Sequence, residues 1–421
     1  RSKFVIDLRR LRNEPSYRAG AIKKGTDSDV IDRLLEADIA SRSVAHEADE
    51  ARAAHNAASK EIGRATLDER PEKINHAGTL KISLEKLENA ETSAKQLVEE
   101  LILQVPNPAH ESVPEGGEEK FIVIKEVGER TEPRKYDHAD LGELLGMVDS
   151  ERAVKNSGSR FAYLMGPAVR LEFALIQYVF DLLEMNNFIP VVPPVLVREE
   201  MMIDAGFFPT DRNQVYEIAG DDLFLTGTAE VALAGLHRGE RLDRAKLPIR
   251  YAGFSSCFRR EAGTYGKDTR GIFRVHQFDK VEMFSFCDPD SSWEELEKLR
   301  DLQEQIVSSL NLPYRVISVA AGDLGAAAAK KYDLEVWLPS ESAYREVTSC
   351  SNYTDYSARR MSSRYKDDSS SGLVHTLNGT ACAISRTLVF LMENCQLEDG
   401  SIAVPKVLQK YLGYEQIDGP K

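Results

Sequence analysis

The chain has 421 residues, a formal net charge of −14 and a hydrophobic content of 42%. This length exceeds that of one ordinary core and predicts two domains. No apolar run reaches about 18 residues, so we expect no membrane-spanning helix. The five cysteines are scattered and never spaced as C-x-x-C, which predicts reduced thiols, a cytoplasmic protein and no structural zinc site.

The acidic residues behind the net negative charge are not spread evenly along the chain. Residues 1–25 hold eight Lys and Arg residues against two acids. An acidic chain can therefore still carry a local basic surface for a polyanion. The same segment lacks the apolar core of a secretory signal, which agrees with a cytoplasmic location.

A long helical hairpin is predicted over about residues 29–104. Its first segment is Ala-rich, charged and free of proline, with a small or apolar residue every seven positions, at Val30, Ala37, Val44, Ala51, Ala58 and Ala65. The pattern breaks near Pro71 and resumes through Ala77, Leu84 and Val98. Heptads on two segments with a short break predict an antiparallel coiled coil. Such an arm is equally consistent with a spacer and with a lever that reaches a distant part of a large partner.

Beyond the hairpin, the composition and the hydrophobic pattern of the chain change. A connector with Pro and Gly residues covers 106–160 and contains a short strand near 121–125. Beyond it, residues at helical spacing predict an amphipathic helix over 167–186, with its apolar positions at Val169, Phe173, Ile176, Phe180 and Leu183. Strands then dominate to about residue 350, interleaved with helices at 292–310 and after 376. Because no regular βαβ alternation or Gly-rich nucleotide motif is present, we expect an antiparallel α+β domain.

A predicted β-hairpin carries an unusual charge cluster at its bend. The stretch "FRREAGTYGKDTRG" (258–271) is followed by the strand-like "IFRVHQFDKVEMFSF". Alternation along a strand places Arg259 and Glu261 on one face, with Arg260 on the other. Arginine guanidinium groups suit carboxylates and phosphates. Taken alone, the cluster is equally consistent with a solvated strand end.

Three further stretches accompany this hairpin: "LTGTAEVAL" (225–233), "YREVTSCSNYTDYSARR" (344–360) and "TLNGTACAISRTLVFLMEN" (376–394). With them the chain resembles the seryl-tRNA synthetases along nearly its whole length, including the arm and the three motifs of class II aminoacyl-tRNA synthetases. The resemblance implies a coiled-coil tRNA-binding domain over 1–110 and, over 111–421, a class II catalytic domain built on an antiparallel sheet with flanking helices. It also implies a homodimer.

The implied activity is that of a serine–tRNA ligase. L-serine and ATP form seryl-adenylate with loss of pyrophosphate, and serine then passes to the 3′ end of tRNA(Ser), with tRNA(Sec) as a further candidate acceptor. The implied cofactors are ATP and Mg²⁺. Such a reaction needs alignment of two anions and neutralisation of developing charge more than acid–base catalysis.

The resemblance also assigns residues to roles. Arg259, Glu261 and Arg386 are the implied catalytic set, with Arg259 joining the serine carboxylate to the α-phosphate. The implied serine-binding set is Thr228, Ala229, Glu230, Arg259, Glu282 and Thr380. The implied ATP-binding set is Arg259, Arg260, Glu261, Arg274, Val275, Phe278, Glu346, Val347, Thr348, Ser349 and Arg386. Glu346 and Ser349 are the implied Mg²⁺ ligands.

Each of these residues also has an ordinary interpretation. Thr228 is a candidate helix cap, Phe278 a candidate core residue, and Glu346 a candidate ion-pair partner of Arg345. The segment "GTACAISR" departs from the usual glycine-richer family pattern by placing Cys382 and Ser385 at the start of the last motif. Three alternative functions are a ligase for carrier proteins, a non-catalytic RNA-binding paralogue and a coiled-coil structural protein. The long arm and the intact charged motif positions argue against them.

Overall fold

A computed structural model describes residues 6–263, 266 and 268–420. Contacts within the chain divide it into an N-terminal unit that ends at Pro108 and a C-terminal unit that begins at Ala109. The sequence prediction put a domain boundary between residues 110 and 111. Of the predicted hairpin loop, residues 264, 265 and 267 lie outside the described residues.

The N-terminal unit is helical. Its helices are α1 (Leu8–Asn13), α2 (Pro15–Lys23), α3 (Ser28–Ile62) and α4 (Arg70–Ile102). The Asp27 side chain accepts a hydrogen bond from the Asp29 backbone N–H and so caps α3. Pro71 lies in the first turn of α4, where its missing N–H costs no helical hydrogen bond. The break seen in the sequence is therefore the start of the second helix.

The predicted antiparallel coiled coil is confirmed. Five residues of the predicted pattern are buried, namely Ala37, Ala58, Ala77, Leu84 and Val98, and Leu34 and Ala48 are buried with them. Ala65 lies beyond the last residue of α3. The seam is narrow because many of these side chains are alanines. Arg52 adds an ion pair of 3.0 Å to Glu88 across the two helices, and both side chains are partly exposed.

The root of this hairpin is attached to the short helices by ion pairs. Arg18 donates two hydrogen bonds to Asp32, at 2.7 and 2.9 Å. Arg12 contacts the partly buried Asp38. These pairs link α1 and α2 to the first third of α3.

The C-terminal unit begins with a connector and then alternates short strands and helices. Its elements up to the hairpin are β1 (Ile122–Val127), α5 (His138–Leu144), β2 (Val148–Asp149), α6 (Ser150–Ser157), β3 (Tyr163–Leu164), α7 (Pro167–Glu184), β4 (Phe188–Val191), β5 (Leu196–Arg198), α8 (Glu199–Asp204), β6 (Tyr216–Ile218), β7 (Leu223–Leu225), α9 (Glu230–Ala234) and β8 (Arg241–Asp243). The remaining elements are β9 (Ile249–Phe258), β10 (Gln277–Cys287), α10 (Ser292–Ser309), β11 (Tyr314–Ser318), β12 (Lys330–Leu338), β13 (Ala343–Asn352), α11 (Tyr356–Met361), β14 (Arg364–Lys366), β15 (Ser371–Leu373), β16 (His375–Ala383), α12 (Ile384–Asn394), β17 (Ile402–Ala403), α13 (Lys406–Leu412) and β18 (Gln416–Ile417).

An eight-stranded sheet organises this unit, with the strand order β1-β11-β12-β13-β16-β10-β9-β4. All of its pairs are antiparallel except β4 with β9. The predicted hairpin is confirmed as β9 and β10, which pair from Phe258↔Gln277 to Ile249↔Phe286. The α+β prediction is therefore confirmed.

The two faces of the sheet pack against different layers. Val281 and Met283 of β10 and Leu377 of β16 belong to a large hydrophobic cluster that also contains residues of α7, α10 and α12. Phe284 and Phe286 belong to a second cluster with residues of α8, α9 and α11. Alternation along β10 and β16 thus directs neighbouring side chains into two separate layers.

The predicted long helix is confirmed as α7, and of its predicted apolar positions Leu183 is buried and Ile176 and Phe180 pack against the core. Residues such as Leu171, Leu175 and Val179 are buried, whereas the Phe173 side chain is 64% exposed. Both sets of positions keep helical spacing, so periodicity found the helix without identifying the buried face. Within the part of the chain that the structure describes, no helix is long and apolar enough to cross a membrane.

Candidate active site

A cavity of about 330 Å³ opens in the C-terminal unit. Most of the residues predicted to act together line it: Thr228, Glu230, Arg259, Glu261, Arg274, Val275, Phe278, Glu282, Glu346, Val347, Thr348, Ser349, Thr380 and Arg386. They come from the turn before α9, from the β9–β10 hairpin, and from β13, β16 and α12. Segments separated by more than 150 residues therefore converge on one site.

An acidic cluster forms one part of the cavity and is built around Glu230 and Glu282. Both carboxylates are buried. The Asn378 amide donates to both, at 2.6 Å to Glu230 and 3.1 Å to Glu282. The Thr380 hydroxyl donates to Glu282 at 3.3 Å. Two buried acids are thus held together by a shared neutral donor.

A lysine balances part of this negative charge. The Lys280 ammonium lies 2.5 Å from a Glu282 oxygen and donates to the Thr228 hydroxyl at 2.8 Å. The Glu230 backbone N–H donates to the same hydroxyl at 3.3 Å. Thr228 therefore contacts the first residue of α9 and lies inside the cavity. The helix-cap interpretation of Thr228 is wrong, because the N-cap residue is Ala229 and no side chain caps this helix.

The ionisation of Glu230 is perturbed by its surroundings. Burial, together with the nearby charge of Glu282, raises the pKa of Glu230 to about 8. The charges of Lys280 and Arg259 oppose this rise but do not overcome it. At neutral pH the Glu230 carboxyl is therefore largely protonated, and a positive charge bound beside it would favour its ionised form.

Three arginines, Arg259, Arg274 and Arg386, form a cationic group in another part of the cavity. The Arg259 side chain donates to the Gly227 carbonyl at 3.2 Å, and its guanidinium lies 5.3 Å from the Phe278 ring centroid. Arg274 pairs with Glu261 at 2.6 Å. The ring of Phe278 and the carboxylate of Glu261 thus flank the arginines that face the cavity.

Glu346 lies among cations. Arg386 donates to the Glu346 backbone oxygen at 3.0 Å and to its carboxylate at 3.3 Å. Burial raises the pKa of Glu346, but the charges of Lys331, Arg386 and Arg259 outweigh it and hold that pKa at about 2. Arg345, the expected alternative partner, instead pairs with Asp268 and Glu341. Glu346 is consequently an ionised carboxylate in the cavity.

Two predicted residues lie outside the lining. Ala229 is buried beside Thr228. The Arg260 side chain faces a separate shallow depression with Arg212 and Tyr216, and its backbone N–H donates to the Gln214 carbonyl at 2.9 Å. Arg259 and Glu261 line the cavity while Arg260 does not, but all three residues follow the end of β9 and Glu261 has a φ of 50°, so the bend of the hairpin and not strand alternation directs these side chains.

Several lining residues were not predicted. Lys280 lies between Phe278 and Glu282 on the same strand face, and Asn378 shares a face with Thr380, so alternation alone could have found both. Lys331, Tyr353 and Asp211 also line the cavity. Lys331 and Asp211 lie outside the quoted motif stretches, and no local sequence signal marks them. Tyr353 lies within the stretch 344–360 but was not singled out. The Lys331 ammonium lies 3.0 Å from Asp333, and Asp333 and Glu346 raise the lysine pKa against the opposing effect of burial.

Comparison with protein families gives two matches. Residues 214–395 match the tRNA synthetase class II core domain (G, H, P, S and T). Residues 5–109 match the seryl-tRNA synthetase N-terminal domain. The cavity residues from Thr228 to Arg386 fall within the first match, and the helical hairpin falls within the second.

Individual relatives extend the similarity over the whole chain. A serine–tRNA ligase of Mycolicibacterium smegmatis is 46% identical over 98% of this chain and 100% of its own length. A crystal structure of seryl-tRNA synthetase from Pyrococcus horikoshii complexed with ATP has a TM-score of 0.92 at 38% identity, covering 99% of this chain and 100% of that one. A cytoplasmic serine–tRNA ligase from Naegleria fowleri in complex with AMP has a TM-score of 0.89 at 31% identity, covering 100% and 99%. With both domains, the full length and the charged cavity in agreement, the chain belongs to the seryl-tRNA synthetase family.

Proposed function

We propose that this chain performs the serine–tRNA ligase reaction in the cavity of its C-terminal unit. The observation that carries the proposal is the juxtaposition, in one cavity, of a buried acidic cluster with three arginines. The acidic cluster suits the ammonium and hydroxyl of an amino acid, and the arginines suit carboxylate and phosphate oxygens. The ATP and AMP complexes of the two structural relatives support a nucleotide in the same cavity here.

Serine occupies the acidic cluster in this proposal. Glu230 receives the ammonium, and Glu282 with Thr380 binds the hydroxyl. Thr228 and Ala229 contribute contacts from the turn before α9. Burial of these groups supports the assignment, because the serine hydroxyl adds a buried hydrogen bond to a charged group that a ligand without the hydroxyl cannot make, a difference of about 1.5–3 kcal/mol.

ATP occupies the cationic group. Arg259 contacts both the serine carboxylate and the α-phosphate, while Arg274 and Arg386 neutralise the outer phosphates. Phe278 stacks on adenine, and Glu261 accepts from the adenine amino group. Val275, Val347 and Thr348 line the same space and supply backbone contacts.

The proposed chemistry follows from this placement. A serine carboxylate oxygen attacks the α-phosphorus, and the bond to the leaving pyrophosphate breaks. In the second step the 3′-terminal ribose hydroxyl of the tRNA attacks the seryl carbonyl, releasing AMP and a proton. The arginines contribute by orienting two anions and by stabilising charge that develops on the phosphorus oxygens.

Mg²⁺ is proposed to bind with the ATP phosphates at Glu346 and Ser349. The ionised Glu346 carboxylate and the Ser349 hydroxyl are the hard oxygen ligands that this ion prefers. No group of three or more His, Cys, Asp or Glu side chains converges within the described residues. The remaining ligands would therefore be phosphate oxygens and water, as is usual for Mg²⁺.

The helical hairpin is proposed to bind tRNA(Ser), and also tRNA(Sec) where that tRNA is present. Its length supports this role, since α3 has 35 residues and α4 has 33, about 50 Å each at 1.5 Å per residue. The match to the seryl-tRNA synthetase N-terminal domain covers the whole hairpin. This match also disfavours a ligase for carrier proteins, the alternative that lacks such an arm.

A cytoplasmic location remains a prediction from sequence.

A homodimer is proposed through α7 and β4. Phe173 on α7 is 64% exposed, and Met185 and Val192 beside these elements are 74% and 77% exposed. Exposed apolar side chains on adjacent elements are typical of a subunit interface. Sedimentation at micromolar concentration is expected to show a dimer, and Val192→Asp should shift it toward monomer.

The activity itself is tested by ATP–pyrophosphate exchange across the amino acids, followed by charging of bulk tRNA. We expect exchange with serine far above that with alanine or threonine, and charging of serine acceptors alone. Exchange with serine but without tRNA charging would instead support the carrier-protein ligase.

A further inference from the structure

The pairing between β13 and β16 ends at the cavity. The two strands pair from Asn352↔Leu377 to Cys350↔Gly379. The next residues, Ser349 and Thr380, both line the cavity but do not continue this ladder. Ser349 pairs with Asp333 of β12, and Thr380 pairs with Glu282 of β10 beside an irregularity in register. The sheet therefore opens between these two residues.

A buried glutamine spans this opening. Gln303 of α10 has 0% of its surface exposed. Its side-chain Nε2 donates to the Ser349 carbonyl at 2.7 Å and to the Thr380 carbonyl at 2.8 Å. One amide group thereby supplies hydrogen bonds to both strands at the point where they stop bonding to each other.

The amide reaches the strands from the side opposite the acidic cluster. α10 packs in the layer that contains Met283 and Leu377, while Asn378 and Thr380 point into the cavity. Gly379 faces Gln303. A Cβ atom at Gly379 would lie 2.9 Å from the Cys350 Cβ and 3.3 Å from the Gln303 Nε2. A side chain at position 379 would therefore crowd both Cys350 and Gln303, and glycine avoids this contact.

We propose that Gln303 is a positioning residue that sets the separation between Thr380 and Ser349. The inference rests on the proposed function, in which Thr380 reads the serine hydroxyl and Ser349 binds the metal with ATP. Gln303 then fixes the distance between the serine-binding strand and the ATP-binding strand. Without its two hydrogen bonds, both carbonyls lose their buried donor and the strands shift to recover one.

The consequence is a loss of specificity as well as rate. A misplacement of about 1 Å in a reacting group can cost about 10²-fold, and the pocket that reads the hydroxyl widens when Thr380 moves. We expect Gln303→Met, which keeps length and volume but removes the donors, to lower kcat/KM for serine in pyrophosphate exchange by about 10- to 100-fold. The KM for serine should rise, and the preference for serine over alanine should fall.

The control is Leu299→Ala on the same helix. Leu299 is fully buried, lies one turn from Gln303, and is absent from the cavity lining. Both variants should lower Tm, but only Gln303→Met should change KM for serine and the serine-to-alanine ratio. Gln303→Asn, which retains an amide that is one methylene shorter, is the second variant if Gln303→Met does not fold, and it should show the same kinetic pattern in weaker form.

The outcomes separate this inference from the proposed function. Wild-type protein that fails to exchange with serine would overturn the proposed function itself. Wild-type protein that exchanges with serine, together with a Gln303→Met or Gln303→Asn variant that has unchanged KM and discrimination at a lowered Tm, would show that Gln303 only stabilises the fold.

Discussion

The helical hairpin and the catalytic sheet bury their side chains in different ways. In the hairpin, alanines form much of the seam between α3 and α4, and ion pairs such as Arg52–Glu88 are partly exposed to solvent. In the C-terminal unit, large residues such as Phe284 and Phe390 are completely buried. A close-packed core holds functional side chains in fixed positions, whereas a thin pair of helices offers length and surface.

This difference predicts where substitutions act. Changes in the cavity should alter serine activation itself. Changes in the hairpin should leave activation intact and act on the tRNA step alone. The expected effects range from loss of activity to no measurable effect on activation.

Arg259→Ala should cause the largest loss. Removing a guanidinium that orients both anions should lower the exchange rate by on the order of 10²-fold or more. The matched control is Arg260→Ala, the same change at the adjacent residue, whose side chain lies outside the cavity. Near-normal exchange by Arg259→Ala, or equal losses in both variants, would contradict the proposed role.

Thr380→Val should reduce discrimination by about 10-fold or more. The variant keeps the shape of the side chain but cannot bind the serine hydroxyl, a contact worth about 1–3 kcal/mol when buried. The serine-to-alanine ratio of kcat/KM in exchange measures the effect. Thr376→Val on the same strand is the control, because Thr376 is also buried and does not line the cavity. An unchanged ratio in Thr380→Val would remove Thr380 from the serine pocket.

Glu230 should make serine binding depend on pH. Burial raises its pKa to about 8, so the carboxyl is protonated at lower pH, whereas the serine ammonium pairs with the ionised form. The KM for serine should therefore fall by up to about tenfold as pH rises from about 6.5 to 8, while the KM for ATP changes little. Glu230→Gln should have a high KM without this pH dependence. A flat profile in the wild type would contradict the assignment.

Arg52→Ala should have the smallest effect. The residue pairs with Glu88 on an exposed surface of the hairpin, and exposed ion pairs contribute little to stability. We expect a small decrease in Tm and unchanged pyrophosphate exchange. A loss of exchange would show that the hairpin supports the cavity, against the separation proposed here.

Local patterns in the sequence predicted much of the fold. Heptad spacing predicted both long helices, and alternation predicted the β9–β10 hairpin. Arg259 and Glu261 line the cavity as expected, but they follow the end of β9, so strand alternation is not the reason. The face of α7 could not be read in the same way, because Leu171 and Phe173 both belong to apolar stripes at helical spacing. Only the packing of neighbouring elements decides which stripe is covered.

The candidate site likewise contains residues that local sequence patterns can locate and residues that only the packing of distant segments reveals. Residues within the recognised motifs were located from sequence, and alternation could have added Lys280 and Asn378. Lys331 and Gln303 depend on contacts between distant segments. A buried glutamine on α10 resembles any other polar residue of an amphipathic helix until the carbonyls that it contacts are known.

The central claim is that activation belongs to the C-terminal unit and that the hairpin serves the tRNA step. Replacing residues 50–90 with a short Gly/Ser turn keeps Asp38 and its contact with Arg12, so the root of the hairpin is preserved. Pyrophosphate exchange and tRNA(Ser) charging are then measured on the same preparation. We expect exchange near the wild-type rate and charging reduced on the order of 10²-fold, as for loss of the second point of a two-point contact. Equal loss of both activities, or full charging, would contradict the claim.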